Sequence, residues 1–306
     1  MFNKILIPLD GSELAERALV PAFAIAQQSE AEVILVRIPI METIVIDSPF
    51  HGGNAYTWRD TGLHHSRERA YDYLQAVHNA NLKHNLTIHT RTPGGDAAFG
   101  DVAEAIVATA TAEKADLIVM SSHGYSGLTR WVLGSVAERV LHSAPCPVLV
   151  VRETDPLGDV LIPLDGSPIA ESALAPGLGM ATMNDAEVKL LRAVEAVNVE
   201  ELAQLELAEK GLGRQLQKDL YDEANTYLHT LATAQARAGV TVKLITRIGP
   251  AAMTILDYAE ANDIGLIVMA THGRTGLKRW VYGGVTEKVL RGSKHSMLVI
   301  RAANIN

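Results

Sequence analysis

Short apolar runs recur along the chain, and segments of helical period fill the gaps between them. Lys4–Leu9 (KILIPL) predicts a first strand that ends at Asp10-Gly11-Ser12. Glu13–Gln28 then predicts a helix, with Ser12 at its N-cap. Glu32–Ile38 predicts a second strand. Pro39 to Asp60 has weak periodicity and holds two Pro and two Gly, so it predicts a loop. Gly62 to Ala80 returns to helical spacing, with Ala70, Tyr73, Leu74 and Val77 on its apolar side. Leu86–Thr92 predicts a strand, Val102–Glu113 a helix and Asp116–Met120 a strand. A glycine-rich stretch, a helix over Trp131–His142 and a fifth strand over Pro147–Val151 complete the series.

The series then starts again. VLIPL at Val160–Leu164, followed by Asp165-Gly166-Ser167, repeats the first strand and its turn after a shift of 155 residues. AERALVPA (15–22) matches AESALAPG (170–177), and AEVILVR (31–37) matches AEVKLLR (186–192). LIVM occurs at 117–120 and at 266–269, where the shift is 149. Six extra residues in the first copy therefore fall near Thr92–Gly100. In the second copy the helix before the third strand is longer, about Leu212–Ala238, and the fifth strand is Met297–Ile300. Strands that are apolar throughout and alternate with helices predict a parallel sheet covered on both faces, with right-handed crossovers. The expected fold class is α/β: two tandem open parallel-sheet sandwich domains of five main strands each, over residues 1–155 and 156–306. Arg152–Gly158 reads as the linker.

Composition narrows the function. The chain has 306 residues, room for two ordinary domains. A formal charge of -8 favours solubility and argues against a nucleic-acid partner. Cys146 is the only cysteine, which rules out an intrachain disulfide and fits a reducing compartment. There is no N-terminal signal pattern and no run of about 18 apolar residues, so no membrane partner is expected. The expectation is a cytoplasmic protein.

The candidate chemistry lies in two glycine-rich stretches, Val119–Val136 and Val268–Val285. His123 aligns with His272, Gly124 with Gly273, Gly127 with Gly276 and Gly134 with Gly283. Such loops bring backbone N–H groups against an anion. In an open α/β sheet, ligands sit beyond the carboxyl ends of the strands. Asp10 and Asp165 follow the first strands, and the glycine stretches follow the fourth. If those strands are neighbours, carboxylate and loop face one crevice, where Ser135 offers a hydroxyl to a phosphate. A plainer reading stays beside this one: the glycines as turns, the aspartates as turn or cap residues, the histidines as loop braces, and Trp131 and Trp280 as packing. No GxxxxGKS or GxxxxGKT run, GxGxxG fingerprint, HExxH pair or GxSxG elbow occurs. His64-His65 are adjacent and do not converge on one helix face. The pattern favours binding over covalent catalysis.

ILIPLDGS (5–12), ADLIVMSSHG (115–124), LGSVAERVL (133–141) and CPVLVV (146–151) resemble a universal stress protein domain. VLIPLDGS (160–167), GLIVMATHG (265–273) and YGGVTEKVL (282–290) resemble a second. The whole chain is similar to a tandem member of that family. The resemblance implies a Rossmann-like fold of the adenine nucleotide alpha hydrolase-like group. It also implies an adenine nucleotide (ATP, ADP or AMP) at the carboxyl edge, with Mg2+ on its phosphates. The family's nucleotide motif, G-x2-G-x9-G followed by Ser or Thr, falls on Ser121, Gly124, Gly134 and Ser135 in copy one. In copy two it falls on Ala270, Gly273, Gly283 and Gly284, so the first glycine is replaced in both copies and the final hydroxyl is lost in the second. The implied site adds Pro8, Asp10, Ile38, Met120, His123, Gly127 and Val136 in copy one. Its counterparts are Pro163, Asp165, Ala193, Met269, His272, Gly276 and Val285. The family also implies dimerisation through last strands, here met within one chain as a pseudo-dimer, with a homodimer of the whole chain left open. The function implied is that of a nucleotide-binding sensor or regulator in stress response. A slow ATP hydrolase or phosphotransferase stays open, as does a scaffold that binds no nucleotide. Residues 39–60 are either a contact surface, a lid or an ordinary loop.

Overall fold

The computed structural model describes residues 2–40, 55–93, 101–122, 133–152, 157–235, 239–271 and 284–301. It forms two compact units, Met1–Thr154 and Asp155–Asn306, each contributing five parallel strands.

In the first unit the strands are β1 (Lys4–Pro8), β2 (Glu32–Val36), β3 (Ile88–Arg91), β4 (Leu117–Ser121) and β5 (Val148–Val151). They run parallel in the order β3-β2-β1-β4-β5. The helices between them are α1 (Glu13–Glu16), α2 (Leu19–Ser29), α3 (Ala55–Ala80), α4 (Val102–Glu113) and α5 (Ser135–Ser143). Ile5, Leu6, Ile7, Ile34, Leu35, Leu117, Ile118 and Leu149 are fully buried, because both sheet faces carry helices.

The second unit repeats this with β6 (Asp159–Pro163), β7 (Val188–Val194), β8 (Val242–Ile248), β9 (Ile264–Thr271) and β10 (Ser296–Arg301). Its parallel order is β8-β7-β6-β9-β10. Its helices are α6 (Pro168–Glu171), α7 (Leu174–Asn184), α8 (Val199–Ala208), α9 (Leu212–Ala234), α10 (Ala251–Ala261) and α11 (Gly284–Gly292).

Several boundaries differ from expectation for local reasons. The helix expected over Glu13–Gln28 is broken at Arg17-Ala18. Pro21 has no N–H for the Arg17 carbonyl and its ring opposes that group, so the chain tightens there, with Ala18 N–H donating to the Ala15 carbonyl at 3.1 Å. Pro176 imposes the same break between α6 and α7. The loop expected to reach Asp60 gives way to α3 at Ala55, once the Pro/Gly cluster ends at Gly53. The helix expected from Trp131 starts at Ser135, behind Gly134 as N-cap. The helix α8 was not expected; Asn198 caps it, accepting the Glu201 N–H at 2.8 Å.

The two units begin their sheets differently. In the first, the Asp116 carboxylate accepts the Asn3 N–H at 2.8 Å, the Asn3 Nδ2 at 3.0 Å and the Lys4 N–H at 3.0 Å. Gly265 holds the equivalent place in the second. There Asp159 pairs with Ile264 and Val160 with Leu266, so Gly265 bulges out of the ladder. A Cβ on Gly265 would lie 2.0 Å from the Gly158 nitrogen, which explains why no acidic side chain stands there. The half-exposed Asp159 takes over as anchor, accepting the Glu187 N–H at 3.0 Å and the ammonium of the buried Lys189.

Candidate functional site

β1 and β4 are hydrogen-bonded neighbours, as are β6 and β9. In each sheet the strand order reverses between those two strands, so a crevice opens beyond their carboxyl ends. Sequence-expected residues from β1, β2, β4 and α5 meet around it.

Pro8 ends β1, and Asp10 lies two residues beyond. The Asp10 Oδ1 accepts the Ser12 N–H at 2.8 Å and the Ser12 hydroxyl at 2.6 Å. Ser12 Oγ in turn accepts the Ala15 N–H at 3.1 Å and caps α1. Gly11 sits between them at φ +92, a conformation that L side chains rarely adopt. The plainer turn-and-cap reading of Asp10 is thus correct for one carboxylate oxygen. Asp165 repeats the turn: its Oδ1 accepts the Ser167 N–H at 2.8 Å, Ser167 caps α6, and Gly166 has φ +85.

Ile38 lies just past β2 and is buried. The Leu9 N–H donates to the Val36 carbonyl at 2.8 Å, and the Arg37 N–H donates to the Arg91 carbonyl at 3.1 Å. Successive residues of a parallel strand turn their backbone groups to opposite neighbours. Continued past the strand end, that alternation would place the N–H and carbonyl of Ile38 on the β1 side, beyond the end of β1. The same alternation applies to Ala193 in the second unit, since Leu164 N–H donates to Leu191 at 2.8 Å and Gly249 N–H to Val194 at 2.9 Å. Ala193 differs in lying within its strand, in register with Arg247.

Met120 and Ser121 close β4, and Met269 and Ala270 lie near the end of β9. Gly134 donates its N–H to the Ser122 carbonyl at 2.8 Å, which holds the start of α5 against the end of β4. Gly134 offers no side-chain cap, Ser135 is exposed, and Val136 is in the first turn. Pro163 ends β6, and Gly284 opens α11 with Val285 exposed beside it. The Thr286 hydroxyl donates to the Ala270 carbonyl at 3.3 Å, so it does not stand in for Ser135. His123, Gly124, Gly127, His272, Gly273, Gly276 and Gly283 lie outside the described residues, as does most of 39–60.

One arrangement was missed in the sequence. Tyr73 donates its hydroxyl to Glu16 Oε1 at 2.7 Å, and the Arg37 Cζ lies 4.4 Å from the centre of the Tyr73 ring. In the second unit Tyr227 donates to Glu171 Oε1 at 3.0 Å, and the Arg192 Cζ lies 5.3 Å from the Tyr227 ring. Burial pushes both phenols well above their ordinary value, and the glutamates add to it. The signal available was the repeat itself: Glu16, Arg37 and Tyr73 recur at shifts of 155, 155 and 154. Burial pushes the Cys146 thiol up to about 12 and keeps it protonated. Among the described residues, no group of three or more His, Cys, Asp or Glu could hold a metal ion, and no helix is long and apolar enough to cross a membrane.

The model of the universal stress protein family matches residues 1–152 and again 157–301. A universal stress protein of Methanocaldococcus jannaschii is 38% identical over 154 residues, which is 50% of this chain and 84% of that one. A universal stress protein of Mycobacterium bovis is 30% identical over 197 residues, spanning 61% of this chain and 62% of its own length. The crystal structure of a universal stress protein from Archaeoglobus fulgidus superposes with a TM-score of 0.69, covering 98% of this chain and 99% of that one. At 20% identity, that likeness shows a shared fold.

Proposed function

The chain belongs to the universal stress protein family, and from that premise we propose that it binds an adenine nucleotide at the carboxyl edge of each sheet. The first half is the tighter site, and occupancy serves a regulatory role in stress response. The observation that carries this reading is the convergence at the β1–β4 switch point. The backbone of Ile38, the Asp10 turn and the start of α5 all border one crevice.

Each part suits one end of the ligand. The N–H and carbonyl of Ile38 match the donor and acceptor edge of adenine. The Asp10 carboxylate accepts from a sugar hydroxyl or the base. The first turn of α5 presents N–H groups and the positive end of a helix dipole to phosphate, and Ser135 adds a hydroxyl. A hydrogen bond to a charged group contributes about 1.5–3 kcal/mol, and several of them reach micromolar affinity after the costs of association. The second half keeps the aspartate and the inward backbone of Ala193, but Gly284 brings no hydroxyl. Mg2+ would enter on the phosphate oxygens of the nucleotide. Binding and release, with at most slow hydrolysis, are the chemistry this edge supports.

Native mass spectrometry and calorimetry of the full chain with ATP, ADP and AMP test the reading. The expected result is one nucleotide bound at about micromolar concentration and a second bound more weakly. No complex with any of the three at ~1 mM refutes it.

A further inference from the structure

We infer that Arg37 and Arg192 are positioning residues, which hold the carboxylates of Asp10 and Asp165 for the nucleoside end of the ligand. The inference rests on the adenine-nucleotide reading above and names what keeps that site in shape.

The geometry is a closed ring of contacts. A Cβ built on Gly11 would lie 3.0 Å from both Nη1 and Nη2 of Arg37, so the guanidinium lies flat against the glycine of the turn. Its Cζ lies 4.4 Å from the centre of the Tyr73 ring. The Tyr73 hydroxyl is fixed on Glu16 of α1, and α1 is capped by Ser12, whose hydroxyl donates to Asp10. From Asp10 the ring passes through Ser12, Glu16, Tyr73 and Arg37 and returns at Gly11. The second half follows the same residues more loosely: the Ser167 N–H donates to Asp165, Tyr227 donates to Glu171, the Arg192 Cζ lies 5.3 Å from the Tyr227 ring, and a Cβ on Gly166 would lie 3.0 Å from Nη1 and 3.5 Å from Nη2.

A planar, always-charged group is what such a slot requires. Arginine stacks on an aromatic face and on a peptide at once, which lysine does not. Glycine is favoured at the turn by its φ of +92, and an added Cβ would press on the guanidinium at 3.0 Å. The two halves keep the residues of this ring while differing at the phosphate end, where Ser135 of the first corresponds to Gly284 of the second. The ring therefore serves the end of the ligand that both halves share. It also brings α3 and α9 into contact with the turn through Tyr73 and Tyr227.

The test perturbs both halves together in the full chain and titrates by calorimetry with adenosine and with ATP. The variants are Arg37→Met with Arg192→Met, and, as the milder pair, Tyr73→Phe with Tyr227→Phe. The arginine pair is expected to weaken adenosine and ATP alike, by about tenfold, leaving the ratio between the two ligands unchanged. In a background carrying Asp10→Ala and Asp165→Ala, the same arginine substitutions are expected to cause no further loss, because they act through those carboxylates. Full affinity in the arginine pair, or a loss that multiplies with that of the aspartates, overturns the inference. If the arginine pair fails to fold, the phenylalanine pair is judged by the same criteria. A wild-type chain that binds neither ligand overturns the proposed function and this inference with it. A wild-type chain that binds, beside variants that bind as well, overturns the inference alone.

Discussion

Replacing Gly265 by alanine adds a single methyl group at a bulge in β9, with nowhere to put it. The new Cβ would lie 2.0 Å from the Gly158 nitrogen, 2.6 Å from its Cα and 3.0 Å from the Leu157 carbonyl carbon. Comfortable separations are about 3.5–4.0 Å, so the backbone at 157–158 must retreat by ~1.5 Å. No rotamer change relieves the clash, because all three atoms are main chain. Retreat pulls on Leu157, which is buried, and on Asp159, which anchors the buried Lys189. Overpacking of this kind costs about 1–3 kcal/mol, and the entropic gain of Gly→Ala in the unfolded chain returns only about 0.4–1 kcal/mol. The expected net loss of about 1.3 kcal/mol corresponds to a fall of about 3–5 °C in the unfolding midpoint of a unit this size. Scanning calorimetry reads the shift, and hydrogen exchange places it in residues 157–271. Asp116→Ala is the companion change: it removes three hydrogen bonds and is expected to loosen the first unit without touching the second. A Gly265→Ala chain that unfolds with the wild type would refute the close approach and, with it, the account of why the second copy lacks the aspartate.

Further outcomes follow from the same contacts. Burial pulls the Asp159 carboxyl upward, but the Lys189 ammonium and the Glu187 N–H together bring it below its ordinary value. Its contribution is therefore present above about pH 4, where an unfolded aspartate is ionised, and is lost as pH falls through the lowered folded value. Asp159→Asn should flatten that acid limb in urea midpoints measured between about pH 2 and 7, and an unchanged slope counts against the pairing. It should also destabilise the fold at neutral pH, because Lys189 is left buried without its carboxylate. Ser135→Gly should weaken ATP by about tenfold and leave adenosine untouched, while Gly284→Ser should strengthen ATP at the weaker site. Equal losses for both ligands would mean that Ser135 supports the helix and not a phosphate.

The architecture was legible because its signals are local and doubled. Apolar runs of strand length, each ending in a turn or a glycine stretch, repeat at a near-constant shift, and one topology satisfies them. Three departures were also written in the sequence, in residues whose effect is local: Pro21 and Pro176 break their helices, and Asn198 starts α8. Gly265 is different. Its cause is the register of β6 on β9, which no spacing reveals. The Arg37–Tyr73–Glu16 ring is different again, since its members come from β2, α3 and α1 and belong to no motif. Sequence reasoning finds residues that touch a ligand through a common pattern more readily than residues that hold those residues in place.

Comparing the halves separates what the carboxyl edge requires from what the sheet merely tolerates. At the amino edge the solutions are unrelated: a carboxylate hub at Asp116 in one unit, a glycine bulge with a Lys189–Asp159 pair in the other. Any arrangement that ends the strands neatly serves there. At the carboxyl edge the Asp-Gly-Ser turn, its cap, the inward backbone after β2 and β7, and the arginine ring are all kept. Structural need alone does not account for that contrast, since both edges terminate the same strands. On the proposed reading a shared ligand at the carboxyl edge would, because it would fix the carboxylate and the backbone groups together. At the motif positions Ser121 stands against Ala270 and Ser135 against Gly284, and on the proposed reading both fall at the phosphate end, so the halves should differ in how many phosphates they favour and agree on the nucleoside.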